Sequence, residues 1–232
     1  MQPAQKQVLE DLRERIRRLE RKPARSSGGV ESGWGCIDAI APGGFPRGAI
    51  AELTGAPGSG KTAVAIAVVA RAMGERSLAA WIDGRSELYA PAVQIGGIDL
   101  ERLLIVRPAG EAPLSPSGSV LNRTVQASVR QSLWAAEAVL GSGAFAAVVV
   151  DVPVASGARI TSDWGSVASA EAVLRRLVGA AEKGGATCIW LSEPGSCAPP
   201  ARLRIEVSRG RDGVRARPLA RGVSATVAGH AA

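Results

Sequence analysis

Val8, Leu9, Leu12, Ile16 and Leu19 recur at spacings of three and four among charged residues. That pattern predicts one amphipathic helix over residues 3–22, with a narrow apolar stripe. The stripe suits two arrangements equally: a helix that docks on another surface, or one packed along its own domain. Residues 23–31 begin Pro-Ala-Arg-Ser-Ser-Gly-Gly and read as a linker. The rest of the chain, 32–232, reads as one domain.

From residue 47 the rhythm changes. Short apolar runs at 49–54, 78–83, 103–106, 145–152 and 187–192 read as buried strands. Between them, 61–73, 89–95, 123–140 and 166–183 carry helical periodicity, and 108–119 is a Pro/Ser/Gly loop. Buried strands alternating with helices predict a mostly parallel sheet covered on both faces. The end differs again. Residues 202–208 and 214–220 alternate in polarity around an Asp-Gly pair, which predicts an antiparallel hairpin.

Composition narrows the chemistry. With 46% hydrophobic but only 3% aromatic residues, the core must be built from Ala, Val, Leu and Ile. The net charge is +7, and only four of the 28 basic residues are lysines. Arginine forks favour phosphate or carboxylate partners, although a GC-rich genome produces the same bias. The single histidine, His230, excludes His-based triads and His-ligated metals. Cys36, Cys188 and Cys197 form no CxxC pair and read as reduced thiols. The charged N-terminus does not resemble a signal peptide. The longest apolar run, 63–70, falls well short of the ~18 residues of a membrane span. A cytoplasmic protein without membrane contact is expected.

Gly55-Ala56-Pro57-Gly58-Ser59-Gly60-Lys61-Thr62 matches G-x-x-x-x-G-K-[ST] at every position. Glycines let consecutive backbone N–H groups turn inward on a phosphate, and the following helix adds its N-terminal N–H groups and dipole. Lys61 should reach the β- and γ-phosphates of ATP, and Thr62 should ligate Mg²⁺. Asp151 closes the apolar strand Val148-Val149-Val150 and should stand at the carboxyl edge of the sheet, as a second Mg²⁺ ligand.

Residues 44–53, leading into this loop, resemble the entry to a RecA-type ATPase core. Three further strings, Trp81-Ile82-Asp83, Tyr89 to Pro108 and Leu133 to Ala138, resemble the ImuA family of RecA-like proteins. The resemblance runs from about residue 33 to about 208. It implies a RecA-like P-loop NTPase core and an accessory role in damage-induced mutagenesis. The implied partners are RecA, an ImuB-type relative of Y-family polymerases and a DnaE-type error-prone polymerase.

The chain departs from its relatives in both directions. Many ImuA-like sequences have a degraded phosphate loop, whereas this one is intact. RecA proteins carry a water-orienting Glu two residues after the Asp that ends their second strand; Arg85 stands there, and a cation cannot accept a proton. Glu87 is the substitute base if the loop shifts register, and at most weak ATPase activity is expected. Glu193 falls where RecA senses the γ-phosphate with a glutamine, and its charge would repel that phosphate unless Arg or Mg²⁺ screens it.

RecA's DNA-binding loops correspond to 153–165, which keeps Arg159 and Trp164, and to 194–200, which has neither a basic nor an aromatic residue. The chain also leaves no room for RecA's C-terminal domain, so full strand exchange is not expected and any DNA contact should be weak. Arg202 and Arg204, and Arg215 and Arg217, share strand faces in the hairpin. They suit a sugar-phosphate or acidic partner surface, or a plain solvated face. The tryptophans other than Trp164 read mostly as core fillers. Two other readings stand beside the accessory role: a DNA-dependent ATPase resembling a RecA or RadA paralogue, and a P-loop NTPase acting on a small molecule.

Overall fold

Val30 and Phe45 exchange backbone hydrogen bonds of 2.8 and 2.7 Å, and both side chains are buried. The folded body is therefore already under way at Val30, inside the stretch expected to be linker. The structure, a computed structural model, describes residues 28–108, 118–153, 167–196, 198–211 and 213–219. The expected helix at 3–22 with Leu12, Ile16 and Leu19, and the loop with Arg159 and Trp164, lie outside these residues.

A one-turn helix α1 (Gly35–Asp38) follows the first bridge and was not legible in the sequence. Its Asp38 carboxylate accepts from the Ser32 and Gly33 backbone N–H groups at 2.7 and 2.9 Å. Then come β1 (Ala49–Thr54), α2 (Lys61–Met73), β2 (Leu78–Asp83), α3 (Ala90–Ile95) and β3 (Leu103–Val106). After these come α4 (Gly118–Ser142), β4 (Phe145–Asp151), α5 (Val167–Gly184) and β5 (Thr187–Ser192). The chain closes with the hairpin β6 (Leu203–Gly210) and β7 (Gly213–Pro218). Helix α4 begins at Gly118, five residues earlier than the periodicity predicts.

The seven strands form one sheet in the order β3-β2-β4-β5-β1-β6-β7. Every pairing is parallel except β6 with β7. The period of two splits each strand between two cores. Ala51, Leu53, Trp81, Val149, Ile189, Leu191, Ile205 and Val207 face α2, whose Val64, Ala65, Val68, Val69 and Ala72 cover them. Ile50, Ile82, Val148, Val150, Cys188 and Trp190 face α4 and α5. Each fully buried Val, Leu or Ile contributes ~1.5–3 kcal/mol, so two such layers compensate for the scarcity of aromatics. Of the described tryptophans, Trp81 and Trp190 are core fillers as expected and Trp34 is half-buried. Trp134 is 73% exposed on α4, because its neighbours Leu133 and Ala136 take the inward-facing positions.

Parallel strands end on one edge, and that edge collects Thr54, Asp83, Asp151 and Ser192. Thr54 stands opposite Ser192 across the β1–β5 pair, and Asp83 opposite Asp151 across β2–β4. Strand β6 pairs with β1 only as far as Glu206 and then runs on to Gly210. At ~3.3 Å per residue this carries the hairpin beyond the edge, beside the loop that leaves β1. Gly210 pairs with Gly213, so Gly213 already belongs to β7.

Candidate nucleotide-binding site

The loop from Gly55 to Thr62 joins the buried strand β1 to the first turn of α2. Gly58 and Gly60 hold left-handed φ angles of 75° and 96°, which L side chains rarely adopt. Gly55 is required for space: a Cβ there would stand 2.4 Å from the Val207 carbonyl oxygen. Pressed between β6 and α2, the loop turns back without any bulk inside it. Ala56, Pro57 and Gly58 are exposed, Ser59 is buried, and Thr62 lies exposed in the first turn of α2.

Lys61 Nζ donates to the carbonyls of Gly55 at 2.9 Å and Ala56 at 3.4 Å. The ammonium thus lies over its own loop. Burial lowers the Lys61 pKa, while the carboxylates of Glu193 and Asp151 pull it back up. Ser59 Oγ is buried with no protein hydrogen-bond partner. A phosphate oxygen in the loop would satisfy such a group, so a triphosphate fits this cradle on the protein's own geometry.

At the end of β4, burial raises the Asp151 pKa, and the Arg85 guanidinium opposes that shift. Arg85 comes from the loop after β2. Its Nε lies 3.1 Å from Asp151 Oδ1 and its Nη2 3.0 Å from Glu193 Oε1. Glu193, just past β5, is therefore neutralised by an arginine, one of the two means by which its charge could be tolerated. Glu87 is exposed, and its backbone N–H donates to Asp83 Oδ1 at 3.0 Å. Its carboxylate acts only weakly on Lys61 and on Asp151, so it borders the site.

The donor set suits Mg²⁺ in kind: the Thr62 hydroxyl and the Asp151 carboxylate are hard oxygens. Among the described residues no group of three or more His, Cys, Asp or Glu could hold a metal unaided. A magnesium ion would have to arrive with phosphate oxygens, and at Asp151 it meets Arg85 first.

The arginines of the hairpin divide by environment. Arg204 Nε lies 2.9 Å from Glu52 Oε2, and Ser192 Oγ donates to Glu52 Oε1 at 2.7 Å. Arg204 is thereby committed to a buried cluster behind the phosphate loop. Arg217 is exposed but paired with Glu206, its Nε 2.8 Å from Oε2. Arg202 and Arg215 are exposed, and Arg202 donates its backbone N–H to the Ile50 carbonyl at 2.8 Å. Sequence reasoning passed over two features of this edge. One is Glu52, a carboxylate inside an apolar strand, whose position already required a cationic partner. The other is Asp83, fully buried, which accepts from Arg107 Nε at 2.8 Å and from the backbone N–H groups of Glu87 and Leu88, fixing the loop that carries Arg85.

Among the described residues no helix is long and apolar enough to cross a membrane. The family described as the RecA N-terminal domain matches residues 10–191. RecA of Chlorobium limicola is 33% identical over 164 residues, covering 67% of this chain and 41% of that protein. RecA of Rubrobacter xylanophilus is 30% identical over 188 residues, covering 77% of this chain and 49% of that protein. The chain thus spans less than half the length of these relatives. A crystal structure of the RadB recombinase superimposes with a TM-score of 0.56 at 16% identity, covering 78% of this chain and 84% of that one, which supports the fold alone. The finer resemblance to ImuA is not separated from RecA by these matches. With its seven-stranded sheet, its complete phosphate loop and a family match across most of its length, the chain belongs to the RecA family.

Proposed function

We propose that this chain binds ATP at residues 55–62 and acts in recombinational DNA repair as a relative of RecA and RadA paralogues, with slow nucleotide turnover. The observation that carries the reading is the phosphate loop. Its glycines, its buried unpaired Ser59 hydroxyl and its inward Lys61 form an anion cradle at the carboxyl edge of a RecA-family sheet. Thr62 and Asp151 are the residues that would hold Mg²⁺, which would neutralise phosphate charge, with Arg85 competing for Asp151. Lys61 would leave the Gly55 and Ala56 carbonyls for the phosphates. Arg85 stands at the place of the water-orienting Glu and is paired with Glu193, and the exposed Glu87 only borders the site, so hydrolysis is slow.

The first test is thermal stabilisation. At a ligand concentration of ~100 Kd, binding adds ~2.7 kcal/mol to the native state, and Lys61→Ala should lose most of the resulting melting shift. Equal shifts for the two proteins would refute the site. ATP turnover with and without single-stranded DNA then separates an active DNA-dependent ATPase, whose rate rises with DNA, from a binding switch.

A second reading is favoured by Arg85 in particular. A RecA-like fold with an intact phosphate loop and a cation in place of the base suits an accessory protein better than a motor. In that reading the protein is cytoplasmic and ImuA-like, modulates RecA, and supports error-prone synthesis with an ImuB-type relative and a DnaE-type polymerase. The predicted helix at 3–22 is its docking element. Leu12→Asp with Ile16→Asp should abolish capture of RecA or of the ImuB-type protein while leaving ATP binding intact. Full affinity in that double variant would remove the helix from the interface.

A further inference from the structure

The loop after β2 places one guanidinium where two carboxylates meet. Arg85 bridges Asp151 at 3.1 Å and Glu193 at 3.0 Å, joining the ends of three strands that lie side by side in the sheet. The Arg85–Asp151 arm is shielded, with side-chain exposures of 24% and 15%, while Glu193 is 37% exposed. Lys61, the first residue of α2, enters from the loop after β1 and is influenced by Glu193, Asp151, Arg85 and Glu87. Arg85 and Lys61 therefore stand among the carboxylates of Asp151, Glu193 and Glu87, beside the separate Asp83–Arg107 pair.

We propose that Arg85 is a built-in counter-cation that takes the place of the magnesium ion against Asp151, so that this site binds a nucleoside triphosphate with little dependence on Mg²⁺. The proposal rests on residues 55–62 being the nucleotide site. A polyphosphate carrying about four negative charges cannot approach two bare carboxylates without strong repulsion, because like charges a few ångströms apart interact strongly at a partly desolvated surface. In a phosphate-loop site lacking such an arginine, the divalent ion arriving with the phosphates relieves that repulsion. Here the relief is present before any ligand arrives. The same guanidinium occupies Asp151 Oδ1, so a metal ion must displace it or settle for the other oxygen. It also explains why a glutamate is tolerated at 193, beside the expected terminal phosphate. Charge-assisted pairing with Arg85, which Glu193 shares with Asp151, offsets part of that carboxylate's field.

The test is an equilibrium titration with a fluorescent ATP analogue, in excess Mg²⁺ and in EDTA, for wild type, Arg85→Gln and Arg85→Lys. Circular dichroism melts report folding of each variant. Wild type should weaken about tenfold or less on removing Mg²⁺, whereas Arg85→Gln should weaken about a hundredfold or more, as expected for one lost charge contact at a few ångströms. Arg85→Lys, which keeps the charge, should restore the wild-type ratio. A purely structural role for Arg85 would weaken binding equally in both buffers, and an unchanged ratio in Arg85→Gln overturns the proposal. Should Arg85→Gln fail to fold, wild type decides: a hundredfold loss in EDTA overturns it, and a tenfold loss with the same ratio in Arg85→Lys upholds it. If wild type binds no better than Lys61→Ala, the nucleotide site itself is wrong and both readings fall. Lys61-dependent binding with a steep Mg²⁺ requirement overturns only the counter-cation.

Discussion

Replacing Glu52 with leucine tests whether the cluster behind the phosphate loop holds the hairpin in place. The Glu52 side chain is 8% exposed and takes both Arg204 at 2.9 Å and Ser192 at 2.7 Å. Glu52→Leu keeps the volume apolar but leaves the guanidinium and the hydroxyl without their acceptor. Removing one partner of a buried ion pair costs about 3–5 kcal/mol. The Arg204 side chain is 21% exposed, so water recovers part of that interaction. Allowing for it, the expected loss is ~2–3 kcal/mol. For a domain of this size each kcal/mol lowers Tm by ~2–4 °C, which predicts a fall of ~5–10 °C. Thermal unfolding followed by circular dichroism measures it for Glu52→Leu, Arg204→Leu and the double variant. Because the double variant removes both charges, it should melt well above the sum of the two single losses. A Tm for Glu52→Leu within about 1 °C of wild type, or strictly additive losses, would refute the reasoning. In the same experiment Arg204→Leu should leave affinity for single-stranded DNA unchanged, since that guanidinium is already committed.

Gly60→Ala should lower Tm by several degrees and weaken ATP binding, because the position holds φ 96° and a Cβ would meet Val214 Cγ2 at 2.8 Å. Titration of the analogue with a parallel melt checks both effects; wild-type values for both would show that the hairpin yields freely. Burial pushes the Cys188 thiol up to about 12, while Cys36 is exposed. In native protein near pH 8 a thiol reagent should therefore modify Cys36 quickly and Cys188 only after denaturation, as read by peptide mass spectrometry. Rapid native labelling of Cys188 would mean that the β5 core opens far more often than its burial implies.

Local pattern carried most of the elements and the anion cradle. Strands 49–54, 78–83, 103–106 and 187–192 are legible because each is a short apolar run bounded by turn residues, and the structure has them at those bounds. The phosphate loop is legible for a similar reason. Its chemistry depends on eight consecutive residues and on the strand and helix that flank them, and all of this lies within one stretch of chain. Buried Glu52 could have been read as a residue in need of a partner, but no spacing rule names Arg204, which lies on the far side of eight intervening helices and strands. The same limit applies to α1, whose single turn is held by Asp38 and the Val30–Phe45 bridge and carries no periodicity of its own.

The charges at the edge were decided by tertiary structure. Arg85, Asp151 and Glu193 are far apart in the chain, and against a RecA pattern each taken alone reads separately: a lost base, an expected metal ligand, a misplaced charge. The sheet order sets β2, β4 and β5 side by side, and Asp83 ties down the loop that carries Arg85, so the three side chains meet within 3.1 Å. The shape of the loop at 55–62 could be read from the amino acids alone, because backbone conformation and glycine placement are local. Which charge faces which across the carboxyl edge depended on strand order and on burial. Those follow from packing two apolar layers against one sheet, a condition that involves the whole chain at once.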